Sequence, residues 1–590
     1  MDLIKKVNYI FNRKQKAGFI WNVILALISA LFELVGMSAL VSLVNVIMDE
    51  TIIEKNKYYK LFADIFNVHE LKSFIIYFSI LLIVVYIVKN VFLMIRLRIQ
   101  MKYIYSNKKI LALRLMSCYM GQDYLFHVEH SASELQRNVD KDVGNFISVI
   151  SALISSLVEA FTLVCMIIYL FTTDVVTTLL LAVIFALAFL FILKIYRKYQ
   201  VQAGVDARDA NKELNKWLMQ SFGGIKELKV LNRERFFLSN YSEAYDKSNK
   251  AALKNSLMAH YPKYITEMLM IGGLLITIIV RISMGVDVKA FATTLSAFAL
   301  AAIRMLPAFN RISEYTASIL YGKASVVAIN DDLQQADQIR KEIIESSHMK
   351  ALELNNELKV SKVVFKYPEG DTNIFSGADL TIKKNQSVAL IGESGSGKTT
   401  MADIMLGLLK PQDGSVTVDG LDIFLHENEW HSAVGYIPQM IYLIDDTIRA
   451  NVAFGYDEID DQRVWSVLKD AQLDEFVRSL PKGLDTVVGD RGVKLSGGQR
   501  QRIGIARALY TKPAVLFLDE ATSALDSETE NAVMESINYL QGKTTLVIIA
   551  HRLTTIRNCD CIYEVGGGVV TLKDKKSVFE QASLDLKDAT

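Results

Sequence analysis

Six apolar stretches, at about 19–48, 74–95, 147–171, 175–193, 264–284 and 290–309, occupy the first half of the chain. Each approaches or exceeds the roughly 20 residues that a helix needs to cross about 30 Å of hydrocarbon. They predict spanning helices, because hydrocarbon leaves no partner for unpaired backbone groups. Two long connections, about 96–146 and 194–263, have a different texture. In RLRIQMKYIYSNKKILALRLMSCYM the apolar residues recur at three-to-four spacing opposite a charged face, which predicts an amphipathic helix. A second span that runs on unbroken from residue 96 to 120 projects about 35 Å past the membrane, at about 1.5 Å per residue. Both connections therefore read as helical stalks that reach a soluble partner. Their tips fall near MGQDYLFHVEHSASEL and QSFGGIKELKVLNRERF. The polar stretch 326–350 reads as a linker, and from 351 short β-like runs alternate with turns and helices, the texture of an α/β domain. The expected domains are 1–325, 326–350 and 351–590.

Composition supports this division. The chain has 590 residues, 51% of them apolar, too long for one compact domain and too apolar for a soluble chain of that size. The seven prolines all lie after residue 260, five of them after 360, so the first spans are free of helix breakers. The net charge of +1 gives no pull toward nucleic acid. Cys118, Cys165, Cys559 and Cys561 have neither zinc spacing nor the density of a disulfide framework.

Lysine and arginine placement sets the orientation. The opening MDLIKKVNYIFNRKQKA is basic without a cleavage site, a cytoplasmic lead into the first span and not a removed signal. The two stalk connections are long and basic, whereas the outside connections, about 49–73, 172–174 and 283–289, are shorter.

The chemistry lies in the second half. Gly392, Gly397, Lys398 and Thr399 in SVALIGESGSGKTT fit a strand, a glycine-rich loop and a helix start. Loop N–H groups from Gly392, Glu393, Ser394, Gly395, Ser396, Gly397 and Thr400 surround phosphate in such a loop, Lys398 reaches the outer phosphates and Thr399 ligates Mg²⁺. The apolar run AVLFLDE ends in Asp519, a magnesium holder, and Glu520, placed to orient or deprotonate the attacking water. VIIAH ends in His551. LSGGQRQR puts Ser496, Gly497, Gly498 and Gln499 at a second helix start, a second anion-binding terminus. One nucleotide has no need for two such sites in one subunit, so the second should serve the nucleotide of another copy.

GESGSGKT, LSGGQ, VLFLDE, SALD and AH together resemble the nucleotide-binding domain of ATP-binding cassette (ABC) transporters over about 351–575. With six spans ahead of it, the chain resembles a half-size exporter. The resemblance implies an α-helical six-span transmembrane domain fused to an α/β P-loop NTPase, working as a homodimer with ATP and Mg²⁺. It implies that Tyr367 stacks on adenine, that Gln439 senses the γ-phosphate and touches the metal, and that Asp526 lies at the dimer contact. TVVGDRG resembles the exporter segment that touches the stalks, with Asp490 where glutamate is usual.

Cargo is written in the spans. Glu33, Glu159, Glu267 and Arg304 are ionisable residues at membrane depth, either pathway groups or buried packing pairs. Lys89 and Arg281, nearer the predicted span ends, are expected to snorkel. GIKELKVLNRE, Glu33 and RMLPAFNRISE resemble bacterial flippases for lipid-linked oligosaccharides. That resemblance implies an amphipathic polyprenyl-diphosphate-linked sugar chain moved across the bacterial cytoplasmic (inner) membrane, with the nucleotide-binding domain in the cytoplasm. Arg304 and Arg311, seven apart, share a helix face and suit a diphosphate. The rival expectations are a general exporter of drugs, lipids or peptides, and a membrane-tethered ATPase without transport.

Overall fold

The computed structural model describes residues 2–48, 53, 56–68, 70–285, 288–339, 351–368, 370–519, 527–550 and 556–580. Glu520, Asp526 and His551 lie outside them. The chain divides into two compact units, essentially residues 1–342 and 343–590.

The first unit is helical. A short helix α1 (Asp2–Ile10) precedes six long ones: α2 (Arg13–Met48), α3 (Leu71–Met120), α4 (Val143–Thr173), α5 (Val175–Gly223), α6 (Glu234–Ser283) and α7 (Val288–Tyr321). Each carries one of the six apolar segments. Among the described residues α2, α3, the helical run through α4 and α6 are long and apolar enough to cross a membrane.

Helix α3 shows why such a helix suits lipid at one end and water at the other. Phe74, Phe78, Leu82 and Lys89 form its buried stripe, while Ile76, Ile80, Ile83 and Ile87 on the remaining surface are exposed. An apolar face turned away from the protein core suits lipid. Past residue 96 the buried stripe continues through Gln100, Ile104, Asn107, Leu111 and Leu115, but the outer positions now carry Arg98, Lys102, Lys108 and Lys109. One helix of 50 residues is thus both span and stalk. Helix α5 likewise runs unbroken for 49 residues, from a cap in which Asp174 accepts the Thr177 N–H.

A finding the polar texture concealed is helix α8 (Lys323–Ile339), which runs from the end of the first expected domain through residue 339 of the segment expected as linker. Val326, Ile329 and Leu333 are fully buried, packed with Ile104, Leu115 and Phe146 of the stalk. Their spacing of three and four makes a single narrow apolar stripe, which the surrounding Asp, Gln and Asn residues outweigh on average.

The second unit has two sheets. Strands β1 (Glu357–Phe365), β2 (Phe375–Lys383), β4 (Asp413–Val418) and β5 (Leu421–Asp422) form a four-stranded antiparallel sheet in the order β2-β1-β4-β5. The larger sheet, in the order β10-β9-β3-β8-β7-β6, contains β3 (Ser387–Ile391), β6 (Val434–Ile437), β7 (Val515–Asp519), β8 (Thr545–Ile549), β9 (Cys561–Gly566) and β10 (Val569–Lys573). Strands β9, β3, β8, β7 and β6 are parallel. Successive side chains of its central strands enter different cores, as strand period requires. Val388, Leu390, Val515, Phe517, Val547 and Ile549 join the core shared with the smaller sheet. Ala389, Leu516, Leu518, Leu546 and Ile548 join the other. Both faces are covered, which explains the unbroken apolar runs in these strands.

Candidate functional site

In a parallel sheet the strand ends that follow the C-terminal direction share one edge, where ligands bind. Strand β3 leads there into the glycine-rich loop, β7 ends on Asp519, and β6 ends two residues before Gln439. Glu520 and His551 follow the ends of β7 and β8 by one and two residues. The strand order β3-β8-β7-β6 therefore gathers the loop after Ile391 and the three strand ends at Ile437, Asp519 and Ile549 at one rim.

The loop geometry suits phosphate. Gly392, Gly395 and Gly397 have φ of +146°, +80° and +103°, values that L side chains avoid. A Cβ on Gly392 would lie 2.3 Å from the Val565 carbonyl oxygen, and one on Gly397 2.8 Å from Ile374 Cγ2. Gly397 caps helix α9 (Lys398–Met405), so the N–H groups of its first turn face the loop. The Lys398 ammonium donates to the carbonyls of Gly392 (2.9 Å) and Glu393 (2.7 Å), which folds it over the loop. Ser396 Oγ is buried without a hydrogen-bond partner, an orphan that a phosphate oxygen satisfies. Glu393 and Ser394 are exposed, as is Thr399, whereas Thr400 is buried. The Tyr367 hydroxyl lies 3.3 Å from Thr400 Oγ1, with its ring edge-on to Phe365. Asp519 is nine-tenths buried and Gln439 is exposed in the bend after β6. The Thr399 hydroxyl and the Asp519 carboxylate are hard oxygen donors, the type that Mg²⁺ takes.

Asp403 on α9 lies outside the sequence motifs yet faces this site. Its carboxyl is pushed up to about 6, first by burial and then by the negative charge of Asp519. An acid in the middle of the amphipathic helix after the loop was the available signal.

The second helix start expected to bind an anion opens helix α10 (Gly497–Tyr510). Ser496 Oγ accepts the Gln499 N–H at 3.2 Å, and Gln499 Oε1 accepts the Ser496 N–H at 2.9 Å. This reciprocal capping box was legible in S-G-G-Q. Ser496 and Gly497 are exposed at the helix start; Gly498 is buried. Decisively, α10 packs through Ile503, Ile505 and Ala506 on the core that takes Leu516 and Leu518. Helix α9 packs through Met401, Ala402 and Ile404 on the core that takes Val515 and Phe517. The two helices thus lie on opposite faces of the same sheet.

In the helical unit, Glu33 receives two cations. Lys89 Nζ lies 3.1 Å from Oε2, and the Arg304 guanidinium donates to Oε1. Lys89 does not snorkel: it is 8% exposed, and Gly36 leaves room for it, since a Cβ there would touch its Cδ at 3.4 Å. Arg304 Nε is buried without a partner. Arg311 grips Glu159 with two hydrogen bonds of 2.7 and 3.0 Å. Arg281 pairs with Asp174, and Glu267 is half-buried. Both arginines expected at a diphosphate thus hold carboxylates of neighbouring helices, the arrangement that spacing along one helix cannot reveal.

Comparison with known proteins agrees with this architecture. Residues 19–301 match the family model of the ABC transporter transmembrane region, and residues 375–523 that of the ABC transporter. The chain is 31% identical over 456 residues to an ATP-dependent lipid A-core flippase from Cupriavidus pinatubonensis, covering 75% of each chain. It is 30% identical over 488 residues to an ATP-dependent lipid A-core flippase from Ralstonia nicotianae, covering 79% of each. The solved structure of a bacterial Atm1-family ABC exporter with ATP bound superposes with a TM-score of 0.76 at 21% identity, covering 98% of both chains.

Proposed function

The chain belongs to the ABC transporter family, an ATPase coupled to movement across a membrane, and we propose on that premise that two copies clamp two ATP molecules between them to flip a phosphate-bearing glycolipid. The observation that carries the clamp is the placement of α9 and α10 on opposite faces of one sheet. In this reading a nucleotide on the Lys398 loop meets, across the seam, the Ser496 helix start of a second copy facing it.

In this reading Tyr367 stacks on adenine. The loop N–H groups of 392–400 and the Lys398 ammonium hold the phosphates. Thr399, Gln439 and Asp519 hold Mg²⁺, which neutralises phosphate charge. Glu520 orients and deprotonates the attacking water, while His551 and Gln439 contact the γ-phosphate. Ser496, Gly497, Gly498 and Gln499 reach the same phosphate from the partner copy. Clamping favours one opening of the helical unit, and loss of the γ-phosphate contacts releases it. Glu520→Gln is expected to bind ATP, lock the dimer and lose turnover. Steady-state hydrolysis near the wild-type rate in that variant removes Glu520 from this role.

For cargo we propose a polyprenyl-diphosphate-linked oligosaccharide, moved from the inner to the outer leaflet of a bacterial cytoplasmic membrane. Two cations sharing the single carboxylate of Glu33 support an anionic group near Arg304, because an excess charge at membrane depth calls for a counter-charge. The flippase relatives favour a second reading, in which a lipid A-core glycolipid is the cargo. Proteoliposome flipping of each lipid separates the two. Arg304→Ala and Arg311→Ala are expected to slow the true cargo, and unchanged rates leave both residues as packing groups.

A further inference from the structure

We propose that a cavity bounded by α1, α2 and α4 holds one anionic phospholipid of the cytoplasmic leaflet, with an acyl chain inside and its phosphate on Lys16. The cavity measures about 520 Å³, within the range of roughly 300–1,000 Å³ seen for small-molecule sites. Leu3 and Val7 of α1, Phe19 and Ile20 of α2, and Leu153 and Leu157 of α4 make its walls apolar. Such walls suit a hydrocarbon chain and leave water without partners.

The depth is right for a lipid of that leaflet. Residues 16–20 open the first apolar segment, and 153–157 lie early in the third. The basic lead at 5–16 puts both of those ends on the cytoplasmic side. Helix α1 buries Ile10 and half-buries Leu3 and Val7, while Ile4, Lys5, Asn8 and Tyr9 are exposed. A short amphipathic helix of this kind lies in the headgroup layer.

Charge selects the headgroup. Lys16 is the cation of the cavity lining. It is half-buried, and its ammonium has no hydrogen-bond or ion-pair partner among the described residues. Lys6 on the same basic run is already paired with Asp331 at 3.2 Å. A single unpaired ammonium at the lip of an apolar cavity matches an amphiphile with a negative head and a hydrocarbon tail. The site is separate from the Glu33–Lys89–Arg304 cluster and from the nucleotide loop, so it does not depend on the cargo proposed above.

The test is native mass spectrometry of the delipidated full-length protein, titrated with phosphatidylglycerol or phosphatidylcholine. One phosphatidylglycerol per protomer is expected, bound about fivefold or more tightly than phosphatidylcholine, the value of one cation near an anionic headgroup. Lys16→Glu is expected to abolish that preference. Lys14→Glu, on the same basic run but exposed and outside the lining, is expected to keep it, as is Arg304→Ala. Ser156→Phe, which fills the cavity from α4, is expected to exclude both lipids. Equal binding of the two lipids by the wild type overturns the proposal. So does equal weakening by Lys14→Glu and Lys16→Glu, which marks a general basic surface, or retention of lipid by a folded Ser156→Phe. If Ser156→Phe does not fold, the comparison of Lys16→Glu with Lys14→Glu decides alone.

Discussion

Glu33 on α2 and Arg304 on α7, 271 positions apart in the chain, meet in a hydrogen-bonded ion pair. Lys89 on α3 takes the second oxygen of the same carboxylate. Three helices that no sequence spacing relates are thus tied at one buried atom group. Removing Glu33 leaves two cations facing each other. Breaking a buried pair from one side costs about 3–5 kcal/mol, and the partial exposure of Arg304 places this cluster at the low end. Glu33→Ala is therefore expected to lower the thermal unfolding midpoint clearly, and Glu33→Ala with Lys89→Met to recover part of the loss. Equal midpoints for wild type and Glu33→Ala would show that the cluster is hydrated and not buried.

Gly397 is required by shape. Its φ of +103° and the 2.8 Å approach of Ile374 to a Cβ leave no relaxed place for alanine. Strained backbone of this kind costs about 1–3 kcal/mol per residue. Gly397→Ala is expected to weaken equilibrium binding of a fluorescent ATP analogue by tenfold or more, reading about 1.4 kcal/mol per decade. Wild-type affinity in this variant would mean that the loop adjusts at no cost.

Ser496 carries two duties that a pair of substitutions separates. Ser496→Ala removes the cap on α10, which lowers stability by about 0.5–2 kcal/mol. Ser496→Asp preserves the cap, since aspartate caps as well as serine, but brings a negative charge to the place proposed for the partner's phosphate. The expected outcome is an Ala variant that melts early and an Asp variant that melts normally yet has lost ATP-dependent dimerisation. An Asp variant with full ATPase activity argues against phosphate at this helix start.

A pH term is built into the stalk. Asp332 on α8 accepts the Tyr119 hydroxyl at 2.5 Å and an Asn138 amide N–H at 3.1 Å. Burial is the largest cause holding its carboxyl above the usual range. The folded form therefore binds a proton more tightly than the unfolded chain does. Its stabilising contribution is complete below the unfolded value of about 3.9 and is lost as pH rises through the higher folded value. Asp332→Asn keeps the acceptor for Tyr119 and cannot ionise. It is expected to melt higher than wild type at about pH 8 and equally near pH 4. A higher wild-type midpoint at the alkaline end would reverse the assigned direction.

The legible and the hidden parts divide by the range of the interactions. The glycine-rich loop is legible because glycines at positive φ and a helix start act through local backbone geometry. The six apolar segments were readable because span length follows from bilayer thickness. Helix α8 is not legible in the polar segment 326–350, because its three buried residues, Val326, Ile329 and Leu333, are a minority there. The burial of Lys89 is not legible locally, because its partner, Glu33, lies 56 positions away. The setting of Asp403 is not legible along α9, because it comes from burial and from Asp519, which β7 supplies.

By itself the sequence determined most of the element types, the glycine-rich loop between strand and helix, and the membrane character of the first half, since each rests on contacts within a few residues or on a period along one element. Only the tertiary structure decided which carboxylate neutralises which cation in the helical unit, and that α9 and α10 occupy opposite faces of one sheet. Those relations depend on strand order and helix packing, where residues hundreds of positions apart compete for the same neighbour, and no local period records the winner.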